Sequence, residues 1–432
     1  MTLSIIGHGY VGLVTACVFA DFGNTVWVIG HTKEKIERLQ TGDPIIYEPG
    51  LREMLQKNIN ANRLHFTLDY SKAIPKADVV FITVGTPPTI KGEADLSAVF
   101  EVAKNIGKHL KKGLTVVSCK STVLVGTNKK VEEIINKHKP SGAEVAVASC
   151  PEFLREGTAL PDTIQPDRVV IGSNNKHAIE TLLELHKPLT GERIITDLAS
   201  AELIKYTANA MLATKISFAN LIAFYCEKTG ADVERVLDAV GLDKRIGRVF
   251  MSPGIGYGGS CLPKDVNAIL HTGHQLGIDV SLFEAVEKIN SDARKNYLRK
   301  VIENIKGKTV AIWGLSFKPD TDDIRAASSK YIIEELLAKN FTVSVYDPAA
   351  MENIKKIFND KISYAKDPYA CVKNADSLCI LTEWNEFKQT DLEKVKTNMT
   401  HPVIVDGRNM YKPEDMKRRG FMYVSVGRKS VA

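Results

Sequence analysis

The chain has 432 residues, 44% of them hydrophobic and 25% charged, a composition typical of a globular protein with two or three domains. Its net charge of +6 is small for this length and no long basic run occurs, which argues against nucleic-acid binding but suits small anionic ligands. Its seven cysteines are an odd number without a CxxC pair, which argues against a disulfide framework or a structural zinc site.

The N-terminus opens directly into an apolar strand at residues 3–6, with no basic region before it. No apolar run approaches the roughly 18 residues that a membrane-spanning helix needs. Together with the unpaired thiols, these features predict a cytoplasmic protein that neither is secreted nor spans a membrane.

The first strand runs into a GxGxxG motif at residues 7–12. A helix through residues 18–20 and a second strand at residues 25–29 follow, which is the strand–helix–strand context of a dinucleotide-binding site. The glycines permit a tight turn and close approach of a pyrophosphate, and the helix N-terminus faces the phosphates. We therefore expect NAD as cofactor.

The end of the second strand lacks the usual acidic residue. A carboxylate there normally accepts the adenosine ribose hydroxyls, but this chain has Gly30, followed by His31 and Lys33. Two interpretations stay open: NAD binds without that contact, or His31, Lys33 or Lys35 pairs with the 2′-phosphate of NADP.

Further strands at residues 79–84, 115–118 and 145–148 alternate with helical stretches such as 96–110, which predicts a parallel sheet covered on both faces. Polar residues follow these strands, at the edge where such sheets bind ligands. Among them, Glu152 and Glu156 are four residues apart, so a helical turn would put both carboxylates on one face. One carboxylate could then act as a general base while the other holds cofactor, although a solvated turn is the plainer alternative.

Residues 200–229 form a long, Ala-rich helical pattern that is apolar on most faces, which predicts burial between domains or against a second subunit. Lys205 and Asn209 share one face of it. A lysine in such a stretch needs an anionic partner, either a developing oxyanion or a phosphate, unless its stem reaches the surface.

The glycine-rich segment at residues 256–265, Gly-Tyr-Gly-Gly-Ser-Cys-Leu-Pro-Lys-Asp, contains the candidate nucleophile. Pro263 suits the first turn of a helix, so Cys261 is predicted at or just before a helix N-terminus. The helix dipole and Lys264 would favour the thiolate, which attacks carbonyl carbon. A small buried cysteine is the alternative.

A second series of strands and helices begins after a helix at residues 281–304. Its strands are predicted at residues 309–313, 342–346, 377–381 and 403–406, and Lys318, Arg325 and Arg408 lie near strand ends, where they could bind a phosphorylated ligand. The predicted fold is α/β, with two Rossmann-like doubly wound parallel-sheet domains joined by a long central helix. The predicted domains are a dinucleotide-binding domain at 1–199, a helical domain with the cysteine loop at 200–305, and a second Rossmann-like domain at 306–432.

Taken together, these motifs resemble the UDP-glucose/GDP-mannose dehydrogenase family over nearly the whole chain. The segments that resemble it are residues 7–12, 47–51, 120–123, 151–157, 205–209, 245–247, 256–265, 317–318 and 406–408. The resemblance implies a four-electron oxidation of UDP-glucose to UDP-glucuronate with two NAD, in a homodimer joined through the central helix. It also implies that residues 200–305 form the dimerisation domain and residues 306–432 the UDP-sugar-binding domain. The 260–265 run also fits GDP-mannose enzymes, whereas Arg245-Ile246-Gly247 followed by Phe250 is typical of the UDP-glucose type; UDP-N-acetylhexosamines are a third option.

The resemblance also implies roles for individual residues. Cys261 would form a thiohemiacetal and then a thioester, Lys205 would stabilise the oxyanion beside Asp265, and Glu152 would act as acid or base. Thr122 and Asn209 would orient a water. The implied cofactor-binding residues are Gly7, Gly9, Tyr10, Val11, Gly12, Lys35, Thr86, Thr122, Glu156 and Arg325. The implied substrate-binding residues are Phe153, Leu154, Lys205, Asn209, Arg245, Phe250, Met251, Ser252, Tyr257, Gly258, Lys318 and Arg408, with Arg245 reaching the neighbouring subunit's site.

Two hypotheses outside this reaction are an alcohol dehydrogenase that stops at the aldehyde, with a structural Cys261, and a sensor that binds sugar nucleotide without turnover.

Overall fold

A computed structural model describes residues 1–89 and 92–432 of the chain. It divides into two compact units, Met1–Ala208 and Asn209–Ala432. The chain passes from one unit to the next inside a single helix of 32 residues, α9 (Leu198–Thr229). At 1.5 Å per residue this helix is about 48 Å long.

The first unit contains one sheet. Across the described residues of this unit, the strands are β1 (Thr2–Ile6), β2 (Thr25–Ile29), β3 (Leu64–Thr67), β4 (Val79–Ile82), β5 (Gly113–Cys119), β6 (Ala143–Ser149), β7 (Arg168–Gly172) and β8 (Glu192–Thr196). Their order is β3-β2-β1-β4-β5-β6-β7-β8, and all neighbours are parallel except β6 and β7. From β1 the strands are added first toward one edge of the sheet, to β3, and then from β4 toward the other edge. This switch in strand order between β1 and β4 creates the crevice where such sheets bind ligands.

Helices cover both faces of this sheet. They are α1 (Tyr10–Asp21), α2 (Lys33–Gln40), α3 (Leu51–Asn60), α4 (Tyr70–Ala73), α5 (Ser97–His109), α6 (Thr127–His138), α7 (Ala159–Ile164) and α8 (Lys176–Leu185), with a 3-10 helix at Ile74–Lys76. Successive residues of β4 belong to different hydrophobic clusters: Val79 and Phe81 pack with α1, whereas Val80 and Ile82 pack with α5 and α6. Strand side chains alternate between faces, so this central strand is apolar throughout.

The second unit begins with helices and ends with a second sheet. After α9 come α10 (Val233–Gly241), α11 (Leu262–Gln275) and α12 (Ser281–Asn304), then β9 (Thr309–Trp313), α13 (Ser328–Ala338), β10 (Thr342–Tyr346), α14 (Met351–Phe358), β11 (Ser363–Tyr364), α15 (Pro368–Cys371), β12 (Ser377–Ile380), α16 (Asn385–Lys388), α17 (Leu392–Asn398), β13 (Val403–Asp406), α18 (Pro413–Arg418) and β14 (Met422–Ser425). A 3-10 helix covers Asn359–Lys361. The order β11-β10-β9-β12-β13-β14 is parallel throughout.

The two sheets confirm the predicted α/β class with a long central helix. The first six strands of each sheet have the same order, and in both the first strand is followed by a glycine turn, at Gly7 and at Gly314. The predicted bounds differ from the observed ones by a few residues: the long helix starts at Leu198, and the strand predicted at residues 79–84 ends at Ile82. No helix in the described part of the chain is long and apolar enough to cross a membrane.

Candidate active site

The GxGxxG segment forms a tight turn between β1 and α1. A Cβ at Gly12 would lie 2.1 Å from the carbonyl oxygen of Gly7, so only glycine fits there, whereas a Cβ at Gly9 would meet nothing within 4 Å. Gly9 is the N-cap of α1, and no side chain caps the exposed backbone amides. The turn is thus an open cradle of N–H groups at a helix N-terminus, which fits the pyrophosphate of a dinucleotide.

The adjacent strand ends add polar groups to this edge of the sheet. The Thr86 hydroxyl donates to the carbonyl oxygen of Thr122 at 2.9 Å, which joins the ends of β4 and β5. The Tyr10 hydroxyl donates to the carbonyl oxygen of Tyr47. The structure therefore brings together two of the predicted cofactor-binding residues, Thr86 and Thr122, after neighbouring strands.

The segment at residues 151–155 is irregular, so the predicted helical turn carrying Glu152 and Glu156 is wrong. Glu152 instead folds back on its own loop and accepts a hydrogen bond from the Leu154 N–H at 2.8 Å. Its other carboxylate oxygen lies 3.3 Å from Nζ of Lys205, and the two side chains are 10% and 5% exposed. The pairing accounts for the lysine in an apolar helix, because a buried cation needs an anionic partner.

Two acidic residues from elsewhere in the unit hold this loop in place. Glu48 is buried and accepts hydrogen bonds from the backbone N–H groups of Gly157 and Ala159, both at 2.7 Å. Asp162 accepts from both the backbone and the guanidinium of Arg155. Glu48 thereby caps α7, which follows the loop, and so restricts the position of Glu152.

Phe153, in the same loop, has two cations near its ring. The guanidinium carbon of Arg168 is 3.8 Å from the ring centroid, and Nζ of Lys205 is 5.2 Å from it. Cations over an aromatic face are attracted by the negative potential of the ring. Lys205 thus interacts with two of the predicted site residues, Glu152 and Phe153.

In the second unit, Cys261 is the N-cap residue of α11, as predicted. It is exposed, whereas the other six cysteines are buried. Burial raises the pKa of those thiols, to about 12 for Cys119, Cys371 and Cys379. Of the chain's seven thiols, Cys261 is therefore the one placed to react.

Buried charges lie on the first turn of α11. Asp265 is buried and accepts a 2.5 Å hydrogen bond from the side-chain amide of Asn209. Its other carboxylate oxygen lies 2.6 Å from Nζ of Lys264. The positive charge that the sequence assigns to Lys264 is therefore paired with Asp265.

The glycine loop before Cys261 packs closely against residues 325–326, which lie in the connection between β9 and α13. A Cβ at Gly258 would lie 2.4 Å from the carbonyl oxygen of Ala326, and the Gly259 N–H donates to the carbonyl oxygen of Arg325 at 2.9 Å. The Arg325 guanidinium pairs with Asp323 at 2.7 Å. These close contacts require glycine, because any side chain would displace the loop from residues 325–326.

Arg408, predicted to reach the sugar, connects three segments of the second unit. Its guanidinium donates to the carbonyl oxygens of Gly256, Phe317 and Leu381, at 3.4, 3.3 and 2.9 Å. Lys318 follows Phe317 in the same turn, with Nζ 5.8 Å from the phenyl centroid. The structure thus brings Arg408 and Lys318 to one turn beside the glycine loop.

The remaining predicted substrate residues differ in exposure. Met251 and Tyr257 are buried, whereas Ser252 is exposed. Phe250 has a φ of 63°, a strained conformation for a bulky residue and one that occurs most often at functional sites. Arg245 pairs with Asp243 and its side chain is 88% exposed.

Helix α12 supplies two residues that the sequence does not single out. The side-chain oxygen of Asn290 accepts from the Tyr257 N–H at 2.8 Å, and its amide nitrogen donates to the Tyr257 carbonyl oxygen at 3.3 Å. Glu287 accepts from the Tyr257 hydroxyl. Both residues look like ordinary polar helix positions in the sequence, and the only local signal is their spacing of three.

A dinucleotide cradle on one sheet, a reactive thiol at a helix start and a second sheet of the same order define a dinucleotide-dependent dehydrogenase with two Rossmann-like domains. The chain belongs to the UDP-glucose/GDP-mannose dehydrogenase family. The family's NAD binding domain matches residues 1–190, its central domain residues 199–292, and its UDP binding domain residues 311–413.

Several relatives match this chain over nearly its whole length. The chain is 46% identical to the UDP-glucose 6-dehydrogenase TuaD of Bacillus subtilis (strain 168), covering 99% of this chain and 94% of the relative. It is 44% identical to the UDP-glucose 6-dehydrogenase of Pseudomonas aeruginosa, covering 99% and 98%. A solved UDP-glucose dehydrogenase from the archaeon Pyrobaculum islandicum is 37% identical, with a TM-score of 0.92 and coverage of 99% and 98%.

Proposed function

We propose that this chain oxidises the C6 alcohol of UDP-glucose to the carboxylate of UDP-glucuronate, with NAD as oxidant. The observation that carries the proposal is the exposed Cys261 at the start of α11, in a chain whose other six cysteines are buried. Family membership and the names of the full-length relatives support UDP-glucose over other sugar nucleotides.

The chemistry assigned to the protein's own residues is covalent capture of the half-oxidised sugar. Bound NAD supplies the hydride acceptor for both oxidations. The Cys261 sulfur adds to the aldehyde carbon, and the carbonyl oxygen takes up a proton, which gives a thiohemiacetal. Loss of a hydride and a proton converts this adduct to a thioester. Attack by water on the thioester carbon then releases the carboxylate and regenerates the thiol.

Two buried groups of the first unit are assigned to the charges that develop in these steps. Lys205 would stabilise the oxyanion on the reacting carbon, and Glu152 would accept a proton from the attacking water. Their 3.3 Å ion pair supports this assignment, because it holds the two side chains together in a buried setting. In the second unit, the hydrogen bond from Asn209 to Asp265 fixes the first turn of the cysteine helix.

The cofactor would lie on the GxGxxG cradle. Backbone amides from Gly9 onward at the start of α1 would hold the pyrophosphate, and Thr86 and Thr122 line the neighbouring strand ends. The other side chains assigned to the cofactor are those of Tyr10, Val11, Lys35, Glu156 and Arg325.

The proposal is tested by counting reduced nicotinamide per sugar with purified protein, UDP-glucose and excess NAD. Two equivalents per sugar and formation of the acid are expected, and Cys261→Ser should form no acid. One equivalent per sugar, unchanged in Cys261→Ser, would show an alcohol dehydrogenase that stops at the aldehyde. Binding without any reduction would show a sensor. Parallel reactions with GDP-mannose and UDP-N-acetylglucosamine test the alternative substrates.

The protein is also proposed to form a homodimer through α9. Met211, Phe218 and Tyr225 are spaced seven residues apart on this helix, which is about two turns, and all three side chains are exposed. Large apolar side chains aligned on one helix face are typical of protein–protein interfaces. Sedimentation equilibrium should give a dimer, and Phe218→Glu should shift it to a monomer. A wild-type monomer at micromolar concentration would contradict the proposal.

Three further predictions belong to this proposal. The domain boundaries are placed at residues 199/200 and 305/306. The location is proposed to be the cytoplasm, supported by the unpaired cysteines, and nucleic acid is not expected as a partner.

A further inference from the structure

The end of β2 is closely packed at the point where an acidic residue is usual. A Cβ at Gly30 would lie 2.4 Å from Cδ1 of Ile36 and 3.0 Å from Nδ1 of His8. Ile36 is buried in the hydrophobic core and cannot turn away without leaving a cavity. A side chain at position 30 would therefore have to displace the end of the Ile36 side chain.

Basic side chains surround this position instead. The rings of His8 and His31 lie 4.7 Å apart between centroids, and Lys35 is exposed on the first turn of α2, next to this strand end. Burial, together with the nearby His31 and Lys35, lowers the pKa of His8 to about 4. Lys33, on the same turn, already pairs with Glu37 at 3.8 Å.

His8 gives an independent indication that an oxygen-rich group binds here. The residue is only 4% exposed, and within the described part of the chain its Nδ1 atom has no hydrogen-bond partner. That nitrogen lies close to Gly30, 3.0 Å from the position that a Cβ on Gly30 would take. A buried polar atom without a partner is costly, so a ligand group at this point is favoured.

We propose that the corner formed by Gly30, His31 and Lys35 accepts a phosphate on the 2′-oxygen of the adenosine ribose, so that the chain binds NADP as well as NAD. The proposal rests on the cofactor site assigned above and extends its ligand class. A ribose phosphate carries negative charge that a carboxylate after β2 would repel, and here the Lys35 ammonium and the His31 imidazole take the place of that carboxylate.

The test is calorimetric titration of the full-length protein with ADP-ribose and with 2′-phospho-ADP-ribose, which lack nicotinamide and report binding without turnover. The two affinities are expected to agree within roughly tenfold, and that of the phosphorylated ligand should fall more steeply with salt. The double variant H31A/K35A should bind 2′-phospho-ADP-ribose roughly tenfold more weakly, because the charge pair with Lys35 and the hydrogen bond from His31 are lost.

The matched control is Lys33→Ala, which removes one positive charge from the same helix turn but one that is engaged with Glu37. It should leave both affinities within about twofold of wild type. A far-ultraviolet circular dichroism spectrum like that of wild type shows that the variants fold. The proposal is overturned if wild type binds the phosphorylated ligand more than about 100-fold more weakly than ADP-ribose, or if Lys33→Ala and the double variant lose equally. UDP-glucose turnover with NAD is measured separately, so failure of one proposal leaves the other intact.

Discussion

The glycine loop before Cys261 depends on one amide side chain, and removing that side chain tests how the loop is held. Asn290 is 2% exposed and bonds both the N–H and the carbonyl oxygen of Tyr257. It also explains the glycine at position 256, where a Cβ would lie 2.4 Å from the Asn290 side-chain oxygen. Asn290→Ala therefore removes two hydrogen bonds from a buried segment without touching Cys261.

The size of the effect follows from the groups left behind. Tyr257 is buried, so its N–H and carbonyl oxygen would lose their partner away from water. Each such group costs about 1–3 kcal/mol, and partial relaxation makes the sum about 2–4 kcal/mol. Asn296→Ala is the matched control on the same helix: this half-buried amide donates to Glu227 at 3.1 Å, and its loss should cost about 1 kcal/mol.

Urea unfolding measures this free energy if fluorescence reports only the second unit. Trp313 and Trp384 lie in that unit and Trp27 in the first, so a Trp27→Phe background isolates the signal. Asn290→Ala should also lower kcat more than it raises KM for UDP-glucose, because the loop that precedes the nucleophile becomes less ordered. An unfolding free energy within about 0.5 kcal/mol of wild type would refute the reasoning, since two buried groups would then have found other partners.

Three further predictions concern a thiol, a histidine and a carboxylate. A thiol reagent should modify one cysteine per chain in the native protein and all seven in denaturant. Cys261→Ser should abolish the reaction of the native protein. Rapid modification of several cysteines in the native protein would contradict the burial of the other six. Burial, together with two nearby cations, lowers the pKa of His186 to about 3, so the folded state resists protonation that the unfolded state accepts below about pH 6.5. The free energy of unfolding therefore falls by about 2 kcal/mol on account of His186 when the pH is lowered from 7.5 to 5. His186→Gln should remove this part of the pH dependence. His177→Gln, which changes an exposed histidine of α8, should leave it unchanged. Glu48→Gln should leave one of two backbone amides without an acceptor, which lowers the free energy of unfolding by about 1–3 kcal/mol and also lowers kcat. The control Glu53→Gln changes an exposed residue and should alter neither quantity. Equal activity of both variants would show that Glu48 does not position the Glu152 loop.

The roles of individual site residues were only partly visible in the sequence. Cys261 was placed correctly at a helix start, because a glycine loop and Pro263 are local signals for a helix N-terminus. The helical turn assigned to Glu152 was wrong, because i,i+4 spacing says nothing about whether a segment is helical. Glu152 is instead directed by a bond to its own loop and by Lys205, 53 residues later in the chain.

What the sequence alone determined were the features written in neighbouring residues: the alternation of strands and helices, the GxGxxG turn, the long helix and the reactive thiol at a helix start. Backbone geometry and side-chain periodicity act over a few residues, so a single sequence displays them. Only the tertiary structure decided which distant groups support the site. Glu48 accepts hydrogen bonds from amides 109 and 111 residues away. Ile36 and His8 lie close to the point where a side chain at position 30, after β2, would begin. Such contacts depend on how elements pack in three dimensions, and the residues that make them have no distinguishing mark in their own stretch of chain.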